Sequence, residues 1–310
     1  MKILVTGGTG LVGHGIQCIH KNYSHEFIFL SSKDCNLLDL LETQKLFEKE
    51  KPDLVIHLAA NVGGLFKNMK YKVDIFEQNI LMNYNILKCC HDYQVKKVVS
   101  CLSTCIFPDK TIYPINEEML HNGPPHKSND AYAYAKRMLE VQSKAYQEQY
   151  GDNFICVIPT NIYGTHDNYS IESGHVIPAL IHKCYIAKQN SKPFIVCGSG
   201  KPLRQFIYSV DLARLIMWSL LEYNEKDSII LSNNEENEVS IEYVSRLIAC
   251  NFDYEEHMIF DKSYSDGQFK KTANNQKLMK LYPDMEFTDI KMGIKNSIKW
   301  FKDNYDICRK

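Results

Sequence analysis

A glycine-rich turn near the start of the chain is the feature that most constrains the fold. Gly7, Gly10 and Gly13 directly follow the apolar run at residues 3–5 and stand where a helix should begin. In such a turn the first glycine permits a tight bend, the second lets a phosphate approach the backbone, and the third lets helix and strand pack closely. Free N–H groups at the helix N-terminus form an anion site. The sequence therefore predicts dinucleotide binding here, with an ordinary glycine turn as the alternative.

Short apolar runs alternate with longer helical patterns along the first half of the chain. The predicted buried strands are residues 3–5, 27–30, 54–58, 97–101 and 154–158. This alternation indicates a parallel sheet with helices on both faces. We therefore expect an α/β fold, a Rossmann-type doubly wound parallel sheet with a smaller C-terminal α/β substrate-binding lobe. The predicted boundaries are residues 1–165 and 206–234 for the nucleotide-binding Rossmann domain, and residues 166–205 and 235–310 for the lobe.

The composition argues against several classes of protein. The 310 residues are 45% hydrophobic and 24% charged, as in ordinary soluble domains, and the net charge of −1 argues against nucleic-acid binding. Eleven cysteines are scattered without metal-ligand spacing, which favours reduced thiols and no metal site. No apolar run approaches the roughly 20 residues of a membrane span, and the first residues lack a leader pattern. We expect a soluble, cytoplasmic protein with no membrane partner.

The end of the second predicted strand indicates which cofactor binds. An NAD enzyme would be expected to place a carboxylate there, on the adenosine ribose. Ser31, Ser32 and Lys33 stand there instead and suit a 2′-phosphate, which predicts NADP(H). Asp34 keeps the alternative open, because a contact from its carboxylate to the ribose would reverse the preference.

Three residues form a candidate proton-transfer set. Tyr132 and Lys136 are four residues apart, so both side chains project from one face of the helix predicted at residues 131–150. A phenol with a free pKa of about 10 is a poor acid–base group at neutral pH, and a neighbouring ammonium should lower that pKa. Ser103 follows the fourth predicted strand and can hydrogen-bond a substrate carbonyl. The Tyr–Lys pair alone is a weak signal, which Ser103 and the glycine turn strengthen.

The sequence resembles a known family along most of its length. The matching segments are HLAANVGG at residues 57–64, LSTCIFP at 102–108, PTNIYG at 159–164, HDN at 166–168, GHVIP at 174–178, RQFIY at 204–208 and SDGQFKK at 265–271. The glycine turn and the Y-x-x-x-K motif resemble the extended short-chain dehydrogenase/reductases in general. The segments around Cys105 and His175 resemble the GDP-L-fucose synthases, particularly the animal type.

This resemblance implies a reaction and a division of roles. The family inverts two ring carbons flanking the ketone of GDP-4-keto-6-deoxymannose and then reduces that ketone with NADPH. By resemblance Cys105 is the base and His175 the acid, while Ser103 and Tyr132 polarise the carbonyl and Lys136 tunes Tyr132. On the residues alone, Cys105 could be a small buried hydrophobe, and His175 could cap the helix that begins near residue 177.

The resemblance also implies two sets of binding residues. The expected cofactor-binding residues are Gly7, Gly10, Leu11, Val12, Gly13, Ser31, Ser32, Lys33, Ala59, Ala60, Tyr132, Lys136, Pro159, Asn161, Ile162 and His175. The expected substrate-binding residues are Asn161, Lys183, Arg204, Asp266 and Lys271, although Lys183 could be just a solvated helix charge. Cys197 departs from the family, which usually has tryptophan there. A related 4-keto-6-deoxy sugar on another nucleotide therefore remains an alternative substrate.

Other functions stay open on the sequence. A 4,6-dehydratase would carry an acidic pair where Thr104 and Cys105 stand, and a 4-epimerase that retains NAD would need neither Cys105 nor His175. A non-catalytic NADPH sensor would typically lose Tyr132 or Lys136. Extended reductases often dimerise through two long helices, so residues 75–91 and 131–150 predict a homodimer through a four-helix bundle. An amphipathic helix face explains core packing equally well.

Overall fold

The computed structural model describes residues 1–266 and 268–310. Its strands are β1 (Lys2–Thr6), β2 (Glu26–Leu30), β3 (Leu54–His57), β4 (Lys97–Cys101), β5 (Phe154–Pro159), β6 (Asn161–Tyr163), β7 (Phe194–Cys197), β8 (Leu203–Arg204), β9 (Phe206–Tyr208), β10 (Ile229–Leu231), β11 (Val239–Ser240) and β12 (Met258–Asp261). Its α-helices are α1 (Leu11–Ile19), α2 (Leu40–Glu50), α3 (Leu65–Lys70), α4 (Lys72–Asp92), α5 (Asp130–Tyr150), α6 (Val176–Gln189), α7 (Ser209–Leu221), α8 (Ile241–Asn251), α9 (Gln276–Leu281) and α10 (Ile290–Asp303).

A six-stranded parallel sheet forms the centre of the molecule, in the order β10-β5-β4-β3-β1-β2. The direction of winding reverses between β1 and β3, and ligands of such sheets bind in the crevice outside the carboxyl ends of the strands at this point. The predicted Rossmann-type doubly wound fold is confirmed.

Both faces of the sheet are buried because successive side chains of a strand point to opposite sides. Ile3 and Val5 of β1 pack with α1 and α7 on one face, and Leu4 packs with α4 and α5 on the other. Every residue of β3, β4 and β5 is buried. This explains why these strands read as continuous apolar runs in the sequence.

A third apolar cluster forms a smaller lobe beside the sheet. It joins α6, α8 and α10 to the parallel pair β7–β12, with Phe194, Ile248 and Phe301 at its centre. The parallel pair β6–β9 lies where the chain passes between the sheet and this lobe. Leu278 and Met285, in contrast, pack on the main sheet. The lobe is thus assembled from segments that are separated in sequence by α7 and β10.

Three further features concern membranes, metals and disulfides. Within the described ranges, none of the helices is long and apolar enough to cross a bilayer. The same part of the chain holds no cluster of three His, Cys, Asp or Glu side chains that could bind a metal ion. All eleven cysteines are free thiols.

Candidate active site

A cavity of about 940 Å³ lies at the carboxyl ends of the central strands. Its lining includes the residues that directly follow five strands, namely Gly7, Ser31, Leu58, Leu102 and Thr160. The opposite wall comes from the lobe, through α6 and the segments around residues 197, 204 and 271. The cavity therefore extends from the switch point of the sheet to the lobe.

The glycine turn is tightly packed and adopts the geometry that the sequence predicts. Gly7 has a φ of 65°, and a Cβ there would lie 2.9 Å from the backbone N of Ala59. A Cβ at Gly13 would lie 2.3 Å from the carbonyl oxygen of Gly8. Gly10 caps α1 without a side chain, and Leu11, Val12 and Gly13 line the cavity. At Gly10 no side chain therefore covers the unpaired N–H groups at the first turn of α1, so a pyrophosphate can bind them.

A buried hydrogen-bond network, which no local sequence pattern indicates, fixes the neighbouring strand ends. The Thr6 hydroxyl accepts hydrogen bonds from the backbone N of Leu58 at 3.1 Å and of Ala59 at 3.2 Å. It lies 2.8 Å from Nδ1 of His57, whose Nε2 lies 2.9 Å from Oδ1 of Asn83. Burial lowers the pKa of His57 to about 3, so the ring is neutral. Its Nε2–H donates to Asn83 and its Nδ1 accepts from Thr6.

The end of β2 forms a tight turn beside the cavity. Ser31 and Ser32 line the cavity, whereas neither Lys33 nor Asp34 is among the described lining residues. The Ser31 hydroxyl donates to Oδ2 of Asp34 at 2.5 Å, and the Ser31 backbone N donates to the same oxygen at 2.8 Å. These hydrogen bonds lower the pKa of Asp34. The Asp34 carboxylate is therefore engaged with Ser31 instead of being directed at the cavity.

Tyr132, Lys136 and Ser103 all line the cavity. The Lys136 Nζ donates to the carbonyl oxygen of Cys101 at 2.7 Å and lies 5.9 Å from the Tyr132 ring centroid. Burial raises the pKa of Tyr132 well above its usual value and lowers that of Lys136. The expected lowering of the tyrosine pKa by Lys136 is wrong for this structure, because burial and the neighbouring Cys105 and Cys101 thiols raise it. Tyr132 is consequently a protonated phenol, ready to donate.

Cys105 lies in a short 3₁₀ turn that places it beside Ser103. Its backbone N donates to the Ser103 hydroxyl oxygen at 3.4 Å, and its side chain is partly exposed to the cavity. Burial raises the pKa of the Cys105 thiol, while Lys271 and Ser103 oppose the rise. Cys101 and Cys156 are more deeply buried, with pKa values that burial raises to about 11 and about 12. Cys105 is thus not simply a core hydrophobe.

His175 occupies the N-cap position of α6, but its side chain makes no capping hydrogen bond with the described residues. The ring is exposed within the cavity. The enclosing protein lowers the pKa of His175, and the charge of Lys271 lowers it further. The capping role considered from the sequence is therefore absent, and the ring is available to a ligand.

Three expected cationic residues, Arg204, Lys183 and Lys271, line the lobe side of the cavity. The guanidinium of Arg204 donates to the carbonyl oxygens of Leu203 at 2.7 Å and Gln268 at 2.6 Å. The Lys183 Nζ lies 3.4 Å from Sγ of Cys197. Burial lowers the pKa of Lys271, and a charged Cys105 nearby would oppose that shift. Lys271 is the cation whose field reaches both Cys105 and His175.

Asp266 and Asn161 line the cavity, and both are also hydrogen-bonded to neighbouring protein groups. The Asp266 carboxylate accepts from the Ser199 backbone N at 2.6 Å and from the Ser199 hydroxyl at 2.7 Å. The Asn161 side chain donates to the carbonyl oxygen of Gln205 at 2.8 Å. Both residues therefore hold the lobe walls in place. Of all the expected site residues, Lys33 is the one that the described lining does not include.

Fold and site together define an oxidoreductase of the extended short-chain type. A doubly wound sheet carries a glycine turn, and a Ser–Tyr–Lys set faces the same cavity. Residues 3–231 match the model of the NAD dependent epimerase/dehydratase family.

The relatives narrow this class. The chain is 56% identical to the GDP-L-fucose synthase of Dictyostelium discoideum, over 99% of this chain and 97% of that protein. It is 50% identical to a probable GDP-L-fucose synthase of Drosophila melanogaster, over 100% and 99% of the two chains. A crystal structure of a GDP-L-fucose synthetase from Naegleria fowleri bound to NADP superposes with a TM-score of 0.96 at 50% identity, covering 100% of this chain and 95% of that one. The chain belongs to the NAD dependent epimerase/dehydratase family and, within it, to the GDP-L-fucose synthases.

Proposed function

We propose that the chain is a bifunctional epimerase–reductase that converts GDP-4-keto-6-deoxy-D-mannose to GDP-L-fucose with NADPH. The observation that carries this proposal is that Ser103, Cys105, Tyr132, Lys136 and His175 all face one cavity. A simple reductase requires the Ser–Tyr–Lys set alone. An additional thiol and imidazole at the same cavity provide the two proton-transfer groups that inversion of a carbon requires.

The cofactor half of the cavity fits a nicotinamide dinucleotide phosphate. When bound, NADPH supplies the hydride for the reduction. Gly10 leaves the start of α1 free of a side chain, which gives the pyrophosphate access to the helix N-terminus. Ser32 offers a hydroxyl to a 2′-phosphate, and Ser31 lines the same end of the cavity while its hydroxyl donates to Asp34. Lys33 remains a proposed contact whose flexible side chain would have to reach in from outside the lining. The engagement of Asp34 by Ser31 supports NADP over NAD.

Cys105 and His175 perform the epimerisation in this proposal. A proton next to a ketone is acidic because the resulting enolate is stabilised, and inversion returns a proton to the opposite face. Burial raises the pKa of Cys105, which makes its thiolate a stronger base, and the lowered pKa of His175 makes its imidazolium a stronger acid. Lys271 favours the thiolate form that the first step needs. Ser103 hydrogen-bonds the ketone oxygen and stabilises the enolate.

Tyr132 performs the proton transfer of the reduction. Its phenol is protonated because it is buried, so it donates to the ketone oxygen as that oxygen becomes an alkoxide. The Lys136 ammonium, fixed by the Cys101 carbonyl, stabilises the phenolate that remains. Arg204, Lys183 and Lys271 are the proposed partners of the substrate phosphates. Asn161 and Asp266 are proposed as further substrate contacts.

A second candidate substrate follows from one observation. Cys197 is exposed, lines the cavity beside Lys183, and stands where the family usually has tryptophan. The same chemistry on a different nucleotide-linked 4-keto-6-deoxy sugar is the alternative, since the base would lack an aromatic neighbour at this position.

We further propose the domain boundaries, location and assembly. The separate core clusters of sheet and lobe support boundaries at residues 1–165 with 206–234 and at 166–205 with 235–310, although residues 278 and 285 pack on the sheet. Eleven free thiols support a cytoplasmic location. An exposed apolar stripe supports a homodimer through a four-helix bundle. It consists of Val73, Phe76, Leu81 and Tyr84 on α4 and of Tyr134, Met138 and Val141 on α5.

The test is to incubate purified protein with GDP-4-keto-6-deoxymannose in D₂O and to follow the sugar by NMR, with and without NADPH. We expect wild type to exchange deuterium into C3 and C5 and, with NADPH, to form GDP-fucose. Tyr132→Phe should keep the exchange but slow reduction about 100-fold or more. Cys105→Ser should lose the exchange, whereas Cys250→Ser, at an exposed thiol outside the cavity lining, should behave as wild type.

Either of two results would contradict the proposal. Turnover of a UDP- or dTDP-linked keto sugar without turnover of the GDP sugar would keep the reductase chemistry and reject the substrate. Full deuterium exchange by Cys105→Ser would reject the thiol as the base.

A further inference from the structure

A polar cluster outside the expected site residues lies at the glycine-turn end of the cavity. Asp167 and Arg309 both line the cavity together with the first turn of α1. The Arg309 Nη2 donates to the carbonyl oxygen of His166 at 3.4 Å, and the His166 ring stacks on the ring of His14 with centroids 3.9 Å apart. The His14 Nδ1 lies 3.1 Å from the carbonyl oxygen of Gly10. Arg309 is therefore connected to the start of α1 through the backbone and ring of His166 and the ring of His14.

The position of Arg309 is held by its backbone, while its side chain keeps donors to spare. The Tyr169 backbone N donates to the Arg309 carbonyl oxygen at 2.8 Å. The guanidinium itself is exposed, and its one hydrogen bond to the described residues is the long one to His166. A guanidinium carries five N–H donors in a planar fork that matches phosphate oxygens. Most of these donors are thus available at the cavity.

The other cations of the cavity lie elsewhere in it. The described lysines and arginines that line it are Lys136, Lys183, Arg204, Lys271 and Arg309. Lys136 is bonded to Cys101 beside Tyr132, Lys183 lies at Cys197, and Lys271 acts on Cys105 and His175. Arg204 donates to carbonyls of the lobe. Among these five, Arg309 is the one connected to the glycine turn.

Asp167 brings a buried carboxyl oxygen, unpaired within the described ranges, to this corner of the cavity. Its carboxyl is 3% exposed, and Oδ1 accepts from the Asn168 backbone N at 2.7 Å, whereas Oδ2 has no partner among the described residues. A buried polar atom normally has a hydrogen-bond partner. Burial raises the pKa of Asp167 to about 7, so near neutral pH much of it is a neutral acid that can donate to an anion.

We propose that Arg309 contacts the pyrophosphate of the bound nicotinamide dinucleotide, with Asp167 forming the buried floor beside it. This inference rests on the proposed function, because it assumes that a dinucleotide binds at the glycine-turn end of the cavity. The pyrophosphate carries two negative charges, and the N-terminus of α1 supplies only about half a positive charge. The exposed guanidinium of Arg309, which lines the same cavity, would supply the remainder. The ligand class is any dinucleotide with a pyrophosphate, whether or not it carries a 2′-phosphate.

The test measures binding by isothermal titration of the full chain with NADPH, NADH and ADP-ribose, which all contain a pyrophosphate. We expect Arg309→Gln to weaken all three by a similar factor of about 10, the size of one charge-assisted hydrogen bond. Arg309→Lys should recover part of the loss. Lys310→Gln removes the neighbouring charge, which lies outside the described lining, and should bind as wild type. Unchanged thermal melting would show that Arg309→Gln folds normally.

Three outcomes would overturn the inference, and they differ from one another. Wild-type affinity of Arg309→Gln for ADP-ribose would show that the guanidinium does not contact the pyrophosphate. Loss of NADPH binding with retention of NADH binding would assign Arg309 to the 2′-phosphate instead. Failure of wild type to bind any of the three ligands would reject the proposed function, and this inference with it.

Discussion

Single residues in this cavity carry protonation states that only their surroundings explain. Asp167 is a carboxyl whose pKa burial raises to about 7, and its neighbours in space include the always-charged Arg309 and the neutral His166, whose pKa is lowered to about 4. In the unfolded chain the same carboxyl titrates near its ordinary pKa of 3.8. Ionisation is therefore harder in the folded state, and Asp167 lowers stability as pH rises.

We expect Asp167→Asn to stabilise the protein increasingly as the pH rises from about 5 to 7, with little further gain up to about pH 8. The folded pKa is raised, so the stabilising contribution is complete below pH 3.8 and is lost as pH rises through about 7. The full shift corresponds to about 4 kcal/mol as an upper limit. Urea unfolding of wild type and variant at several pH values measures the difference.

A matched control for this prediction is Asp253→Asn, because the Asp253 side chain is 95% exposed. Its stability relative to wild type should be nearly independent of pH over the same range. A constant difference between Asp167→Asn and wild type from pH 5 to 8 would show that Asp167 does not titrate there.

At the scale of elements, the ends of β1 and β3 are joined by the Thr6 hydroxyl. It holds the backbone of residues 58 and 59 and the ring of His57, which in turn bonds Asn83 of α4. The glycine turn follows β1 directly, so the same hydroxyl stabilises the wall of the cofactor site.

We expect Thr6→Val to lower the free energy of unfolding by about 1–3 kcal/mol, because the isosteric side chain leaves the Ala59 N–H and the His57 Nδ1 without a partner. Thr6→Ser keeps the hydroxyl and should lose much less. Urea denaturation followed by circular dichroism compares the two variants. Equal unfolding midpoints would mean that the network contributes little stability.

The sequence predicted the elements well because their signals are local. The apolar runs gave the central strands, and the four-residue spacing of Tyr132 and Lys136 placed both side chains at the cavity. The Thr6–His57–Asn83 network escaped prediction because its members are 51 and 26 residues apart. Arg309 and His166, separated by 143 positions, escaped for the same reason. The pKa of Tyr132 was predicted in the wrong direction because burial depends on tertiary packing.

At the scale of the whole molecule, the apolar stripe on α4 and α5 faces outward. Its seven side chains are 39–65% exposed, and they recur mostly three or four residues apart along each helix. Exposed apolar patches on soluble proteins often serve as interaction sites, which supports the proposed dimer. Two copies of the α4–α5 pair would bury it in a four-helix bundle.

We expect wild type to sediment as a dimer of the 35.9 kDa chain and Val141→Arg to shift toward monomer, since an unpaired charge would be buried at the interface. Leu281→Arg, at a 38% exposed position on α9 outside the stripe, is the matched control and should remain dimeric. Analytical ultracentrifugation at micromolar concentration measures both. A monomeric wild type would contradict the proposal that the stripe is a dimer interface.

The two tryptophans of the chain have different surroundings, so their fluorescence should respond to different parts of the molecule. Trp218 is buried against the sheet and stacks on Tyr282 with ring centroids 5.4 Å apart. Trp300 of α10 lies 4.4 Å from the His166 ring, which itself stacks on His14 of α1. Any rearrangement of the rings between the lobe and the glycine turn changes the surroundings of one indole and leaves the other as an internal reference. The fluorescence of Trp300 relative to that of Trp218 should therefore report changes in the packing of the lobe against the nucleotide domain.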